Sequence, residues 1–194
     1  IQASINAFGT NVVAAYTAYG KLDGLYWMMI NAFGVSITTF VGQNFGAGKY
    51  DRMRRSVRVC LLMTFGATVL MSGFFLLLGG QLYRLFTDDA EVIALGMQIL
   101  RLLVPTYVTY ICIEVLAGAM RGTGDSLIPT LFTLTGVCLL RVVWVMGVAP
   151  AYHSLTVVLL SYPITWSVTS VLFVIYYLKG GWLKRSIGKA KLEA

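Results

Sequence analysis

Apolar residues in this chain run in long unbroken stretches, separated by short clusters of glycine, charged and small polar residues. No charged side chain occurs in the 25 positions between Arg58 and Arg84, the 37 between Arg141 and Lys179, or the 25 between Asp23 and Lys49. About 20 apolar residues at a rise of ~1.5 Å cross a hydrocarbon core of about 30 Å, so each run is long enough for a membrane-spanning helix. Strands of a membrane barrel would alternate apolar and polar positions, and these runs do not. Runs and breakers together predict six helical segments, at 1–19, 25–45, 57–79, 92–120, 127–149 and 155–178. The last five read as complete spans. The first carries Gln2, Ser4, Asn6, Gly9, Thr10 and Asn11, and reads as the latter part of a helix facing protein or a cavity.

The fold class is therefore all-α, a polytopic membrane helix bundle of about six spans with the first truncated. It forms one transmembrane domain over residues 1–194, with 179–194 as a basic tail. Ile1 follows no start methionine or basic leader, so no cleavable signal peptide is expected and the opening reads as a fragment. Pro129 follows a glycine turn and sits near a helix start, where its missing N–H costs little. Pro105 and Pro163 fall inside spans and predict bends. The stretch 92–120 exceeds what a span requires, and Arg101 with Pro105 predicts an interfacial first turn or two.

Composition strengthens the membrane reading: 58% of residues are hydrophobic and 12% charged, against about 25% charged in soluble domains. The net charge of +7 resembles that of a nucleic-acid binder until its placement is considered. Lys49–Arg58 holds five basic residues, Lys179–Lys191 five more, and Arg121 lies in the same set of alternate connections, giving 11 on one side. The other side holds only Lys21 and Arg84. By the positive-inside rule the 11-residue side is cytoplasmic, with the C-terminus, in a plasma (inner) membrane crossed several times. The charge thus records orientation and implies no nucleic-acid partner. Cys60, Cys112 and Cys138 sit singly in separate apolar stretches and His153 is the sole histidine, so neither disulfide, metal nor cofactor is expected. Tyr26, Trp27, Tyr83, Tyr152, Tyr176, Tyr177 and Trp182 lie near predicted span ends and read as interfacial anchors.

Two glycine-rich strings stand at the basic side. Gly42, Gln43, Asn44, Phe45, Gly46, Ala47, Gly48 and Lys49 glance at a phosphate loop, but Gln43 and Tyr50 break that pattern and the preceding segment is a membrane helix. Gly118, Ala119, Met120, Arg121, Gly122, Thr123, Gly124, Asp125 and Ser126 form the second string. Gly118 and Gly122, four apart, permit close approach of two helices, and Arg121 and Asp125 are candidate partners across the turn.

With FGTNVVAAY near the start, VGQNFGAGKYDRMRR and AMRGTGDSLIP, in that order, the chain resembles the second half of a multidrug and toxic compound extrusion (MATE) transporter. The resemblance implies one lobe, equivalent to helices seven to twelve, of a twelve-helix secondary transporter, and no enzyme. Such a protein exchanges organic cations, drugs or other amphipathic solutes for H⁺ or Na⁺ by alternating access. It implies as partners a small-molecule substrate, membrane lipid and the missing N-terminal lobe. Motif positions carried over are Gly42, Gln43, Asn44, Gly46, Gly48, Arg121, Gly122, Gly124 and Asp125. In several branches of the family an acidic residue lies eleven positions before the turn arginine, which here is Tyr110. A lipid-linked saccharide flippase of the same superfamily, or a non-transporting remnant, are the alternative readings.

Ionisable residues inside spans are functional candidates because charge there costs roughly 2.5–3.5 kcal/mol on insertion scales. Three are predicted: Arg101, Glu114 and Arg141. Tyr107, Tyr110 and Glu114 recur at helical spacing and share a face with Gly118, so a carboxylate beside two phenols is expected to trade a proton for a cation. Arg101 and Arg141 are expected to snorkel outward. Gln2, Asn6 and Asn31 are polar in apolar contexts and are expected to face a cavity or another helix.

Overall fold

A computed structural model describes residues 1–193, excluding the side chains of residue 184 and residues 189–193. Three of the five basic residues of the predicted tail, Lys184, Lys189 and Lys191, thus have side chains outside the described set. After a short helix α1 (Gln2–Asn6), five helical segments are long and apolar enough to cross a membrane: Thr10–Gly46, Tyr50–Arg84, Ala90–Gly122, Leu127–Tyr152 and Leu155–Leu178. The all-helical membrane bundle is confirmed.

The first two predicted segments are corrected. The break lies at Gly9, whose φ of 99° suits glycine, and not across Gly20–Gly24. From there α2 (Thr10–Gly46) runs as one helix of 37 residues, about 55 Å by helical rise. Lys21 points outward, whereas Asp23 turns onto its own helix, accepting from Tyr19 four residues before and Trp27 four residues after. Local glycine and charge mimic a loop, but tertiary packing holds the helix through them.

The second helix, α3 (Tyr50–Arg84), returns antiparallel to α2. Two contacts fix their register: Cys60 Sγ lies 4.0 Å from the Phe33 carbonyl, and Tyr83 Oη donates to the Ala15 carbonyl at 3.1 Å. Asp23 is eight residues below Ala15, about 12 Å deeper in the bundle. With Lys21, it is therefore an ionisable residue within a span beyond the three predicted.

Next come α4 (Ala90–Leu103), capped by Asp89 accepting from the Glu91 and Val92 amides, a 3₁₀ stretch (Val104–Thr109), and α5 (Ile111–Gly122). Alpha-helical pieces α6 (Leu127–Thr133), α7 (Leu140–Val143) and α8 (Ala149–Tyr152), joined by π-helical turns, make the fourth span. α9 (Leu155–Leu159) and α10 (Ser161–Leu178) make the fifth.

At the basic end, α2 and α5 cross on small residues. A Cβ at Gly118 would sit 2.9 Å from the Gly34 carbonyl oxygen, and one at Gly122 would sit 3.1 Å from the Gly42 nitrogen. Thr38 Oγ1, between Gly34 and Gly42, shares its one proton between the Gly34 carbonyl at 2.8 Å and the Gly118 carbonyl at 3.0 Å. Membrane helices gain little from hydrophobic association in lipid, so close backbone packing and such hydrogen bonds hold them together. The close approach expected from the Gly118 and Gly122 spacing is present.

The expected Arg121–Asp125 pairing is not. Arg121 Nη2 meets Glu114 Oε1 at 3.2 Å, while buried Asp125 accepts from Tyr176 Oη at 3.2 Å. A last helix, α11 (Gly181–Glu193), seats Trp182 and Leu183 in the interior and pairs Ser186 Oγ with Thr123 Oγ1 at 3.1 Å. Trp182 and Tyr83, expected at the interface, are thus interior residues.

Candidate functional site

The site begins at Pro105. Proline donates no N–H and crowds the preceding turn, so an α-helix cannot continue through it unchanged. Here the span Ala90–Gly122 narrows to 3₁₀ geometry over Val104–Thr109. Carbonyls in that stretch are taken by side chains from three other helices. Ser72 of α3 donates to Val104 O at 3.3 Å, Tyr26 of α2 to Tyr107 O at 3.1 Å, and Ser170 of α10 to Thr109 O. Within the stretch, Thr106 and Thr109 donate back to Leu103 O and Thr106 O at 2.6 and 2.7 Å. Irregular backbone at this depth persists only when neighbours satisfy it, and such broken helices mark binding sites in transporters.

The break aims Tyr107 at Asp23. Oδ1 of Asp23 accepts from Tyr107 Oη and, at 3.0 Å, from Tyr19 Oη; Oδ2 accepts from Trp27 Nε1 at 2.7 Å. The two phenols also meet each other at 2.9 Å. A carboxylate offers about four lone-pair directions, so three donors leave room for one further proton or cation. No cationic side chain lies within 4.0 Å of Asp23 among the described residues. Its charge is held by hydrogen bonds alone.

Aromatic rings extend from there. Tyr26 stacks on Tyr107 with centroids 4.0 Å apart, and Trp166 of α10 lies 5.6 Å from Tyr110 and 5.5 Å from Tyr162. Tyr26 and Trp27, expected as interfacial anchors, belong to this interior wall. At its far side sits Arg141. Its guanidinium carbon lies 4.2 Å from the Tyr162 ring centroid, Nη2 donates to Thr165 Oγ1 at 3.0 Å, and Nε is buried without a partner. Arg141 therefore turns inward, correcting the outward snorkelling expected of it. Aromatic faces supply the compensation that water would give elsewhere. Arg101 is exposed.

Other candidates fall elsewhere. Glu114 sits near the basic end, against Gly34 and paired with Arg121, while Tyr107 serves Asp23. The carboxylate and phenols expected to act together are thus split between two carboxylates. Tyr110 remains in the aromatic wall, 4.7 Å from Trp27. Gln2 donates to Asn6 at 3.0 Å in an exposed pair, and Asn31 is exposed. Gly48 and Gly124, with φ of 67° and 83°, close the turns of the two glycine strings. Asn44 is buried and bonds the Phe40 carbonyl at 2.7 Å, while Gln43 and Gly46 are exposed. Among the described residues no cluster of three or more metal-ligating side chains occurs.

Asp23 was hidden by its flanking glycines. A signal was nevertheless present, because Tyr19, Asp23 and Trp27 recur every four residues and mark one helical face.

Comparison with known proteins agrees with this architecture. Over 188 residues the chain is 24% identical to the probable multidrug resistance protein YoeA of Bacillus subtilis, covering 94% of this chain and 40% of that one. Multidrug and toxin extrusion protein 2 of Oryctolagus cuniculus is 34% identical over 104 residues, 52% of this chain and 17% of its own. The fold superposes on an outward-facing multidrug resistance MATE family transporter of the MOP superfamily with a TM-score of 0.80 and 18% identity, covering 97% of this chain and 41% of that structure. The chain thus spans about two fifths of that relative and of that structure. The MatE family profile matches residues 1–146, three quarters of the sequence and all three of its motif strings, and the chain belongs to the MatE family.

Proposed function

We propose that this chain forms the C-terminal lobe of a secondary active exporter that moves amphipathic organic solutes, organic cations and drugs among them, in exchange for H⁺ or Na⁺. The observation that carries this reading is Asp23, a carboxylate without a cationic partner, held by Tyr19, Trp27 and Tyr107 at a broken membrane helix. An unpaired charge at that depth is costly, and a proton or cation that neutralises it lowers the cost. Occupancy therefore biases which arrangement of the lobe is favoured, which is the requirement for ion-driven alternating access. The aromatic wall from Tyr26 to Trp166 supplies apolar surface for a substrate, and cations bind such faces well. Basic connections at the α2–α3 and α5–α6 turns support a topology with that end, and the C-terminus, on the cytoplasmic side of a plasma membrane.

The test is efflux from a drug-sensitive host expressing the gene that encodes this chain, with a fluorescent organic cation as reporter. Accumulation should fall on expression, and the effect should vanish when the driving gradient, pH or Na⁺ changed one at a time, is collapsed. Efflux insensitive to both gradients would overturn ion exchange.

A second reading rests on Arg141. An inward arginine with an unpartnered Nε favours a substrate bearing an anionic group, as in a lipid-linked saccharide flippase of the same superfamily. Arg141→Gln is the discriminating variant. If anions bind there, their transport should drop about tenfold or more, since hydrogen bonds to charged groups contribute about 1.5–3 kcal/mol, while a cationic reporter is little affected. Equal loss for both substrate types would assign Arg141 a packing role.

A further inference from the structure

We infer that Thr68 is a positioning residue for the ion-coupled step: its hydroxyl becomes the partner of the Tyr26 hydroxyl when Asp23 is loaded, and so holds the rearranged break. The inference rests on the reading of Asp23 as the ion site. Thr68 is fully buried on α3, and its Oγ1 has no hydrogen-bond partner. A threonine inside a helix can turn its hydroxyl back to the carbonyl four residues before, as Thr64 does to Cys60 at 2.7 Å. Thr68 does not make that bond. A buried hydroxyl left unpaired raises the energy of the state that contains it, and a second state that pairs it is favoured by the difference.

The register of the bundle brings a partner alongside. Starting from the Cys60–Phe33 contact, eight residues along α3 lead to Thr68 and seven back along α2 lead to Tyr26, so the two are level in the antiparallel pair. The Tyr26 hydroxyl stands beside Thr68 but is committed elsewhere, donating to Tyr107 O at 3.1 Å. Tyr107 O does not depend on that bond, because it also accepts from the Tyr110 amide at 3.0 Å. Tyr26 can therefore turn its O–H from Tyr107 O to Thr68 Oγ1, leaving no carbonyl bare and removing one unpaired group. One turn further along α3, Ser72 keeps hold of Val104 O, which confines the change to the turn at Tyr107.

Asp23 decides which partner Tyr26 takes. Tyr107 Oη donates to Asp23, and the Tyr107 ring stacks on Tyr26 with centroids 4.0 Å apart. A hydrogen bond to an ionised carboxylate is about twice as strong as one between neutral groups, so an unloaded Asp23 draws Tyr107 and its carbonyl into place beside Tyr26. A proton or cation on Asp23 weakens that pull and frees Tyr26 to turn. The other ionisable groups near this turn are Tyr19, which shares Asp23 with Tyr107, Tyr110 and Glu114 on the interrupted span, and Arg141 behind Tyr162. Among the described residues Asp23 is the one that sets a charge directly against Tyr107.

Thr68→Val keeps the branched shape and removes the hydroxyl. It should unfold at the wild-type temperature or slightly above, because no existing bond is lost, while gradient-driven efflux of the organic-cation reporter falls several-fold, up to about tenfold. Thr68→Ser, which keeps the hydroxyl, should retain most of the efflux. Tyr26→Phe, which keeps the stack on Tyr107, should lower efflux as well, and combining it with Thr68→Val should add little. Undiminished efflux in Thr68→Val would overturn the assignment. A lowered unfolding midpoint in that variant would do the same, since the hydroxyl would then already have a partner. Fully additive losses in the double variant would separate the two hydroxyls and overturn their pairing. The wild type, measured alongside, distinguishes this from the broader reading: if its efflux responds to neither pH nor Na⁺, ion exchange itself fails and the role of Thr68 with it, whereas an ion-driven wild type matched by Thr68→Val removes Thr68 alone.

Discussion

Asp23→Asn is expected to uncouple transport from its ion gradient while leaving the fold in place. Trp27 Nε1 can only donate, so the new amide must present its oxygen to that indole and its nitrogen to the phenols. Phenolic oxygens accept as readily as they donate, and the Tyr19 and Tyr107 hydroxyls can rotate to receive the amide. All three contacts of the original carboxylate can therefore be replaced. What is lost is the negative charge, and with it the ability to take up a proton or cation. Hydrogen bonds to a charged group contribute about 1.5–3 kcal/mol, so ion affinity should fall roughly ten- to a hundredfold. The measurement is gradient-driven efflux beside gradient-free substrate binding and thermal unfolding. Loss of the first with the other two retained identifies Asp23 as the coupling carboxylate. Glu114→Gln is the comparator, because Glu114 already has Arg121 as its counter-ion and should have the smaller effect on coupling. Wild-type pH and Na⁺ dependence in Asp23→Asn would remove it from the mechanism. Asp23→Leu should instead destabilise the protein by about 1–3 kcal/mol, since the Trp27 N–H loses its acceptor.

Gly122→Val should be among the most damaging substitutions for stability. A Cβ there would lie 2.5 Å from the Thr38 carbonyl oxygen and 3.1 Å from the Gly42 nitrogen. Both are backbone atoms, so no rotamer change relieves the overlap and α2 must separate from α5. Overpacking of this kind costs about 1–3 kcal/mol and occasionally more. Separation would also lengthen the Thr38–Gly118 bond. Gly79→Ala provides the control, because its added Cβ would meet the flexible ends of Leu100 and Met97. Thermal unfolding in detergent should rank Gly122→Val well below Gly122→Ala, and Gly79→Ala near the wild type. Similar midpoints for Gly79→Ala and Gly122→Val would show that the α2–α5 crossing tolerates expansion.

Much of the bundle was readable from where charge is missing. Five of the six predicted segments correspond to spans, because long apolar runs with at most two charged residues leave the chain few alternatives to an α-helix in a bilayer. The Gly118 and Gly122 spacing also announced a tight crossing. The difference at Gly20–Gly24 has a definite cause: glycine and charge are local loop signals, whereas the Tyr19–Asp23–Trp27 face holds the helix together. Arg141 illustrates a deeper limit. Its partners Tyr162, Thr165 and Trp166 lie more than 20 positions away on another helix, so no local pattern tells inward from outward. Glu114 shares a helical face with Tyr107, yet Tyr107 is bonded across to a different helix. Periodicity identifies which residues share a stripe, and only packing decides which neighbour each one serves.

The unbroken course of α2 has a mechanical consequence. One rigid rod carries Asp23 toward one end and the Gly34–Thr38–Gly42 seam toward the other, whereas the opposing span is interrupted beside Asp23 at Val104–Thr109. A stiff lever resting against a compliant joint moves as a whole, so a sideways displacement at Asp23 would reappear at the seam while bending was absorbed around Pro105. Stiffness on one side and give on the other would allow a single proton or cation to be felt tens of ångströms away, about 28 Å over the 19 residues from Asp23 to Gly42.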